Sequence, residues 1–156
     1  MTHIRPARRE DVPAILRFVK ELAAFEREPD AVETDEAMLS HALFDERAAE
    51  AVIAERGGES VGFALFFHNF STWTGKKGLY LEDLYVTPDA RGDGVGTALL
   101  RHLAGIAVER GCGRFEWSVL DWNADAIALY RKMGAIGLGD WTVQRVSGEA
   151  LAALAR

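Results

Sequence analysis

The chain has 156 residues, with 18 Lys and Arg against 24 Asp and Glu for a net charge of −6, 49% hydrophobic residues and a single Cys. This length fits one domain, residues 1–156, which buries roughly 70% of its unfolded surface and needs no disulfide or metal as a staple. No apolar run reaches the ~20 residues that cross a membrane, and a pI near 5.2 with no cluster of Lys and Arg argues against a tracker of nucleic-acid phosphates.

Met1 to Pro6 carries no basic stretch leading into an apolar one, and Cys112 has no internal partner, so the expected setting is the reducing cytoplasm, away from membranes. After a short strand-like start, Val12, Ile15, Leu16, Val19, Leu22 and Ala23 recur at helical spacing with Pro13 in the first turn. This predicts an amphipathic helix over about residues 11–26. Thr34 precedes a second short helix with Met38, Leu39, Ala42 and Leu43 apolar and Asp35 and Glu36 at its positive end. Ala51–Arg56 and Ser60–Asn69 are apolar runs joined by Gly57-Gly58-Glu59, a hairpin, and Leu79–Thr87 is a further strand. Helical periodicity returns from Val95 and stops at Gly111. Arg114–Leu120 then reads as a strand, Asn123–Met133 as a helix ending at Gly134, Thr142–Val146 as a strand, and the Ala/Leu-rich tail as a short helix. About six or seven strands and about four helices in mixed order predict an α+β fold whose mixed sheet has both hairpin and crossover connections.

The chemistry concentrates where the strand Leu79–Thr87 runs into Pro88-Asp89-Ala90 and then Arg91-Gly92-Asp93-Gly94-Val95-Gly96-Thr97. A strand feeding a glycine-rich turn and a helix start gathers unpaired N–H groups and the positive end of a helix dipole around one point, which suits phosphate. Thr97 stands where the dinucleotide fingerprint needs its third Gly, and no Lys closes the loop as the Walker pattern requires. Arg91-x-x-Gly94-x-Gly96 resembles instead the pyrophosphate loop of GNAT-type N-acetyltransferases, which bind acetyl-coenzyme A. A turn that merely starts a helix is the bland alternative, and a second block weakens it. Val119-Leu120-Asp121-Trp122-Asn123 and Leu129-Tyr130-Arg131-Lys132-Met133-Gly134-Ala135 match that family's later strand end and Tyr-bearing helix. The pieces Lys20-Glu21-Leu22-Ala23-Ala24-Phe25-Glu26, Ser71-Thr72-Trp73-Thr74-Gly75-Lys76, Tyr80-Leu81-Glu82-Asp83 and Gly148-Glu149-Ala150 extend the likeness over nearly the whole chain. Together they resemble the diamine acetyltransferase subfamily, with Ser-Thr-Trp and Val-Leu-Asp-Trp-Asn closer to its thialysine-acetylating branch.

The resemblance implies a GNAT fold with helices on both faces of a central mixed sheet, a homodimer, and direct acetyl transfer from acetyl-coenzyme A to a primary amine of a small molecule. It gives Glu82 the role of base or of a carboxylate that only holds the ammonium, and Tyr130 that of acid toward the leaving thiolate or of a packed helix residue. It assigns the cofactor to Leu84, Tyr85 and Val86, to Arg91, Gly92, Asp93, Gly94, Val95, Gly96 and Thr97, and to Asn123, Ala124, Asp125, Ala126 and Tyr130. It assigns the amine to Phe25, Glu26, Glu82, Glu116, Trp117 and Ser118. Ser71 stands where the polyamine-acetylating branch carries an acid, and Asp140-Trp141 only approximates an acidic site near a Trp, which argues against long polyamines.

Four scattered histidines, His3, His41, His68 and His102, lack metal-ligand spacing, so no metal is expected. No Gly-x-Ser-x-Gly elbow supports a covalent acyl-enzyme. Two other readings stay open: a GNAT acting on protein N-termini or lysines, and a non-catalytic acyl-coenzyme A sensor.

Overall fold

Continuous apolar runs on either side of Gly57-Gly58 produce the expected hairpin, and it forms the middle of the sheet. The structure, a computed structural model, describes all residues 1–156. They form two compact units, Met1–Ser118 and Val119–Arg156.

The first unit holds strands β1 (His3–Pro6), β2 (Glu50–Arg56), β3 (Glu59–Ser71), β4 (Lys76–Val86) and β5 (Phe115–Trp117) in the order β1-β2-β3-β4-β5. Neighbours pair antiparallel except β4 and β5, which are parallel and need a crossover. Helix α3 (Val95–Glu109) supplies it. Helix α1 (Val12–Phe25) follows the first strand, and α2 (Glu36–Ser40) is capped by the Asp35 carboxylate, which accepts from the Met38 N–H at 2.8 Å. The chain after α2 continues into one wide turn, His41–Asp45, where the Glu46 N–H donates to the His41 carbonyl.

Helices cover both faces because the central strands are apolar on both. On one face Ile15 and Phe18 of α1 pack with Ala51, Ile53, Phe63, Leu65 and Tyr85. Alternation turns Val52, Ala54, Ala64 and Phe66 to the other face, where they too are buried. There α3 lies against β3 and β4 and buries Val95, Leu99, Leu100, Leu103 and Ala107. Phe18 is the heart of the first core: its ring stacks on Phe63 at 5.7 Å and lies 5.9 Å from Tyr85.

The second unit contains α4 (Ala124–Lys132) and α5 (Gly148–Leu154). Two strand expectations are corrected. Five strands form rather than six or seven, because Thr142–Val146 has no hydrogen-bonded strand neighbour; the strand expected at Arg114–Leu120 forms but contracts to Phe115–Trp117. A strand-like composition supplies no ladder partner, and without a partner the backbone groups form no sheet.

Truncating Phe18 leaves a ring-sized void between helix and sheet. Phe18→Ala is expected to lower stability by about 3–5 kcal/mol, read as a fall in the urea midpoint with an unchanged denaturant slope.

Candidate active site

A single extra residue in β4 sets the site's geometry. Leu65 pairs with Asp83 and the next residue, Phe66, pairs with Leu81, so Glu82 bulges out of the β3–β4 ladder. The bulge changes which face each neighbour takes. Leu81 faces α3 with Phe66, while Asp83, which regular alternation would put on that same face, joins Leu65 and Tyr85 on the α1 face.

The other side of β4 opens at the same place. Its parallel pairing with β5 runs only from Leu79–Phe115 to Leu81–Trp117. The Thr87 N–H donates to the Val61 carbonyl, so alternation directs the backbone groups of Tyr85 and Asp83 to β3 and those of Leu84 and Val86 away from it. Leu84 and Val86 therefore present amides where β5 has ended. Tyr85 contributes its ring to the core and its hydroxyl to Glu21, donating at 2.8 Å.

Beyond Val86 the loop forms as its glycines dictate. Gly92 and Gly94 have φ of +86° and +83°, the left-handed region that side chains resist, and a Cβ at either would meet open space. Gly94 is the N-cap of α3 and offers no side chain to cap it. The first internal helix bond joins the Ala98 N–H to the Gly94 carbonyl, so the amides of Val95, Gly96 and Thr97 precede the ladder and open outward at the positive dipole end. Asp93, an acid inside this cradle, is held by Arg56 of β2 at 2.9 Å, which offsets its charge. Bare amides, absent side chains and open space fit a diphosphate. Arg91 turns its side chain back, donating from Nε to the Val86 carbonyl at 2.9 Å.

Three carboxylates meet beside the bulge. Glu26 follows the last turn of α1, whose end is closed by the Glu28 N–H donating to the Ala23 carbonyl with Arg27 in the left-handed region. Burial and the neighbouring Glu82 charge push the Glu26 carboxyl above its ordinary range. Asp83 is pushed up to about 6, first by burial against the α1 face and then by Glu82 and Glu26. Phe25 stands off the core stripe of α1 and is exposed, next to this acidic group in sequence. On β5, Glu116 pairs across from Tyr80, the Ser118 Oγ lies 3.0 Å from the Tyr80 hydroxyl, and the Trp117 ring is 4.9 Å from that of Phe115.

In the second unit, Asn123 caps α4 by accepting from the Ala126 N–H at 3.3 Å, with Ala124 and Asp125 in the first turn. Tyr130 lies half-buried on that helix, two residues before its end.

Sequence reasoning missed three residues of the first unit: Asp83, Arg56 and Glu21. Asp83 is visible as an acid beside Glu82, but its partial burial on the α1 face depends on the bulge. Arg56 and Glu21 lie 37 and 64 residues from the partners they hold, with no local signal.

Comparison with known proteins gives the family. The Acetyltransferase (GNAT) family profile matches residues 15–135, a span that includes β4, the glycine loop and α4. The chain belongs to the GNAT acetyltransferase family and is an amine N-acetyltransferase. It is 39% identical over 166 residues to a thialysine N-ε-acetyltransferase of Mus musculus, covering 99% of this chain and 97% of that protein. It is 38% identical over 159 residues to the spermidine/spermine N(1)-acetyltransferase-like protein 1 of Homo sapiens, covering 95% of this chain but 23% of that longer protein. An integron cassette protein from the mobile metagenome of V. cholerae superposes with a TM-score of 0.82 at 25% identity, covering 99% of this chain and 98% of its own. No helix is long and apolar enough to cross a membrane.

Asp83 gives this site a stability signature. Its carboxyl rises from 3.8 to about 6 on folding, so between those values the folded chain holds a proton that the unfolded chain has lost. The contribution is fully present at low pH and disappears as pH rises through about 6. Asp83→Asn, which does not ionise, is expected to be more stable than the parent by about 1–3 kcal/mol at pH 8, with the difference vanishing near pH 4 in urea titrations.

Proposed function

We propose that this chain moves the acetyl group of acetyl-coenzyme A directly to a primary amine of a small cationic molecule, thialysine- or lysine-like or a short diamine, within a ternary complex. The observation that carries this reading is the meeting of Glu26, Glu82 and Asp83 beside the outward amides of Leu84 and Val86. Carboxylates attract an ammonium group, and amides that point into an opening suit the carbonyl oxygen of an acyl donor. The names of the mouse and human relatives support the same acceptor class.

Acetyl-coenzyme A supplies the acetyl group as a reactive thioester. The backbone of Arg91 to Thr97 grips its diphosphate, with Gly92 and Gly94 keeping side chains out of the way. Asn123, Ala124, Asp125 and Ala126 border its arm. The N–H groups of Leu84 and Val86 donate toward the carbonyl oxygen, which stabilises the charge that develops there. An aliphatic amine with a pKa near 10.4 is protonated at neutral pH and attacks only after losing that proton. Glu82 accepts it, while Glu26 and Asp83 hold the remaining cationic chain. Phe25, Glu116, Trp117 and Ser118 line the same pocket, and Phe25 and Trp117 offer aromatic faces to a cation. Tyr130 returns a proton to the departing thiolate, a task a phenol performs without prior ionisation. Residues 1–156 act as one functional domain, in a homodimer in the cytoplasm.

Thiol release from acetyl-coenzyme A, followed across lysine, thialysine, spermidine and short diamines, tests the reading. Amine-dependent release with a lysine analogue or diamine is expected. Release with peptides alone, or cofactor binding without any release, would overturn it.

Within this scheme Tyr130→Phe is expected to lose about 10²-fold or more in kcat with little change in the KM for the amine. Steady-state kinetics at saturating acetyl-coenzyme A check this, and a near-parental kcat removes Tyr130 as the acid.

A further inference from the structure

A basic side chain at the mouth of an anion-binding loop would ordinarily aim at the anion. The Arg91 side chain is engaged elsewhere. Its Nε donates to the Val86 carbonyl at 2.9 Å, on the side of β4 that β5 has left. Its guanidinium carbon lies 5.3 Å from the centre of the Tyr85 ring and 5.5 Å from that of Phe25, within cation–π range of both. Both rings belong to the α1 side of the molecule: Phe25 ends α1, and the Tyr85 hydroxyl donates to Glu21 of the same helix. Phe25 is 45% exposed and lies off the stripe that packs α1 to the sheet. The residue after it is Glu26.

We propose that Arg91 is a positioning residue that fastens the start of the glycine loop to the last turn of α1, and so holds the diphosphate cradle and the amine-holding carboxylates at one spacing. The purpose of this tie rests on the acetyl-transfer reading; its existence does not. Only a guanidinium serves both contacts at once, because its plane covers the rings while Nε donates sideways to the carbonyl. The ammonium of a lysine is a point charge that satisfies one or the other. The tie makes the loop felt at the amine: whatever shifts Arg91 moves Phe25 and Glu26, and the residue tunes acceptor affinity without touching the acceptor.

Hydrogen exchange and kinetics of Arg91→Ala, Arg91→Lys and Arg91→Gln test the tie. In Arg91→Ala the amides of Glu26, Arg27 and Glu28, which close α1, are expected to exchange about tenfold faster, while those of Leu99 to Leu103 in α3 report an intact fold. The amine KM is expected to rise about tenfold with the acetyl-coenzyme A KM changing less than about threefold. Lysine restores part of the amine KM by keeping the cation, and glutamine restores less. Unchanged exchange at residues 26–28 overturns the proposal. So does a raised acetyl-coenzyme A KM that lysine repairs while the amine KM stays at the parental value, since that pattern marks a diphosphate ligand. If the parent chain acetylates no amine yet Arg91→Ala still loosens residues 26–28, the tie stands and the acetyl-transfer reading falls.

Discussion

The site depends on β4 leaving one of its two neighbours and slipping by one residue against the other. The ladder to β3 stays intact through Val86 apart from the bulge at Glu82, while the ladder to β5 stops at Leu81. A strand with both edges paired has no backbone group to offer a ligand. Here one edge keeps the strand rigid and the other presents Leu84 and Val86. The same extra residue puts Asp83 against α1, where burial and two like charges raise its pKa to about 6. One register shift thus creates both an outward pair of amides and an inward acid.

The glycine loop extends the same logic from strand to helix. Val86 ends β4, and nine residues later Val95 starts α3, whose uncapped first turn faces outward at the dipole's positive end. Packing of Val95, Leu99 and Leu103 against the sheet fixes the direction of that dipole, so the core and the cradle are one construction. Arg56 and Arg91 tether the loop from two sides, through Asp93 and through the Val86 carbonyl. Both arginines act on protein groups, which leaves the amides to meet an anion.

Much of this was legible in the chain. The stripe of α1, the hairpin at Gly57-Gly58, the glycine loop and α3 follow from periodicity and from glycines at turns, and those signals are local. Phe18 escaped the predicted stripe although it is fully buried, because the helical stripe is wider than the residues chosen to mark it. Thr142–Val146, rich in β-branched residues, reads as strand-like and is not a strand, since composition describes one segment while a sheet requires two. Asp83 looked like an ordinary surface acid beside Glu82, for nothing in Tyr80-Leu81-Glu82-Asp83 announces where the register slips.

The sequence by itself determined the family, the mixed α+β order, the loop that a phosphate would favour and the carboxylate at Glu82, because each is written in spacing over a few residues or in likeness over the whole chain. Tertiary structure alone decided which amides of β4 face outward, that Asp83 is half-buried near Glu26 and Glu82, and that Arg91 bridges β4 and α1. Those facts depend on which strand lies beside which and where pairing stops, and such relations join residues that the chain keeps far apart.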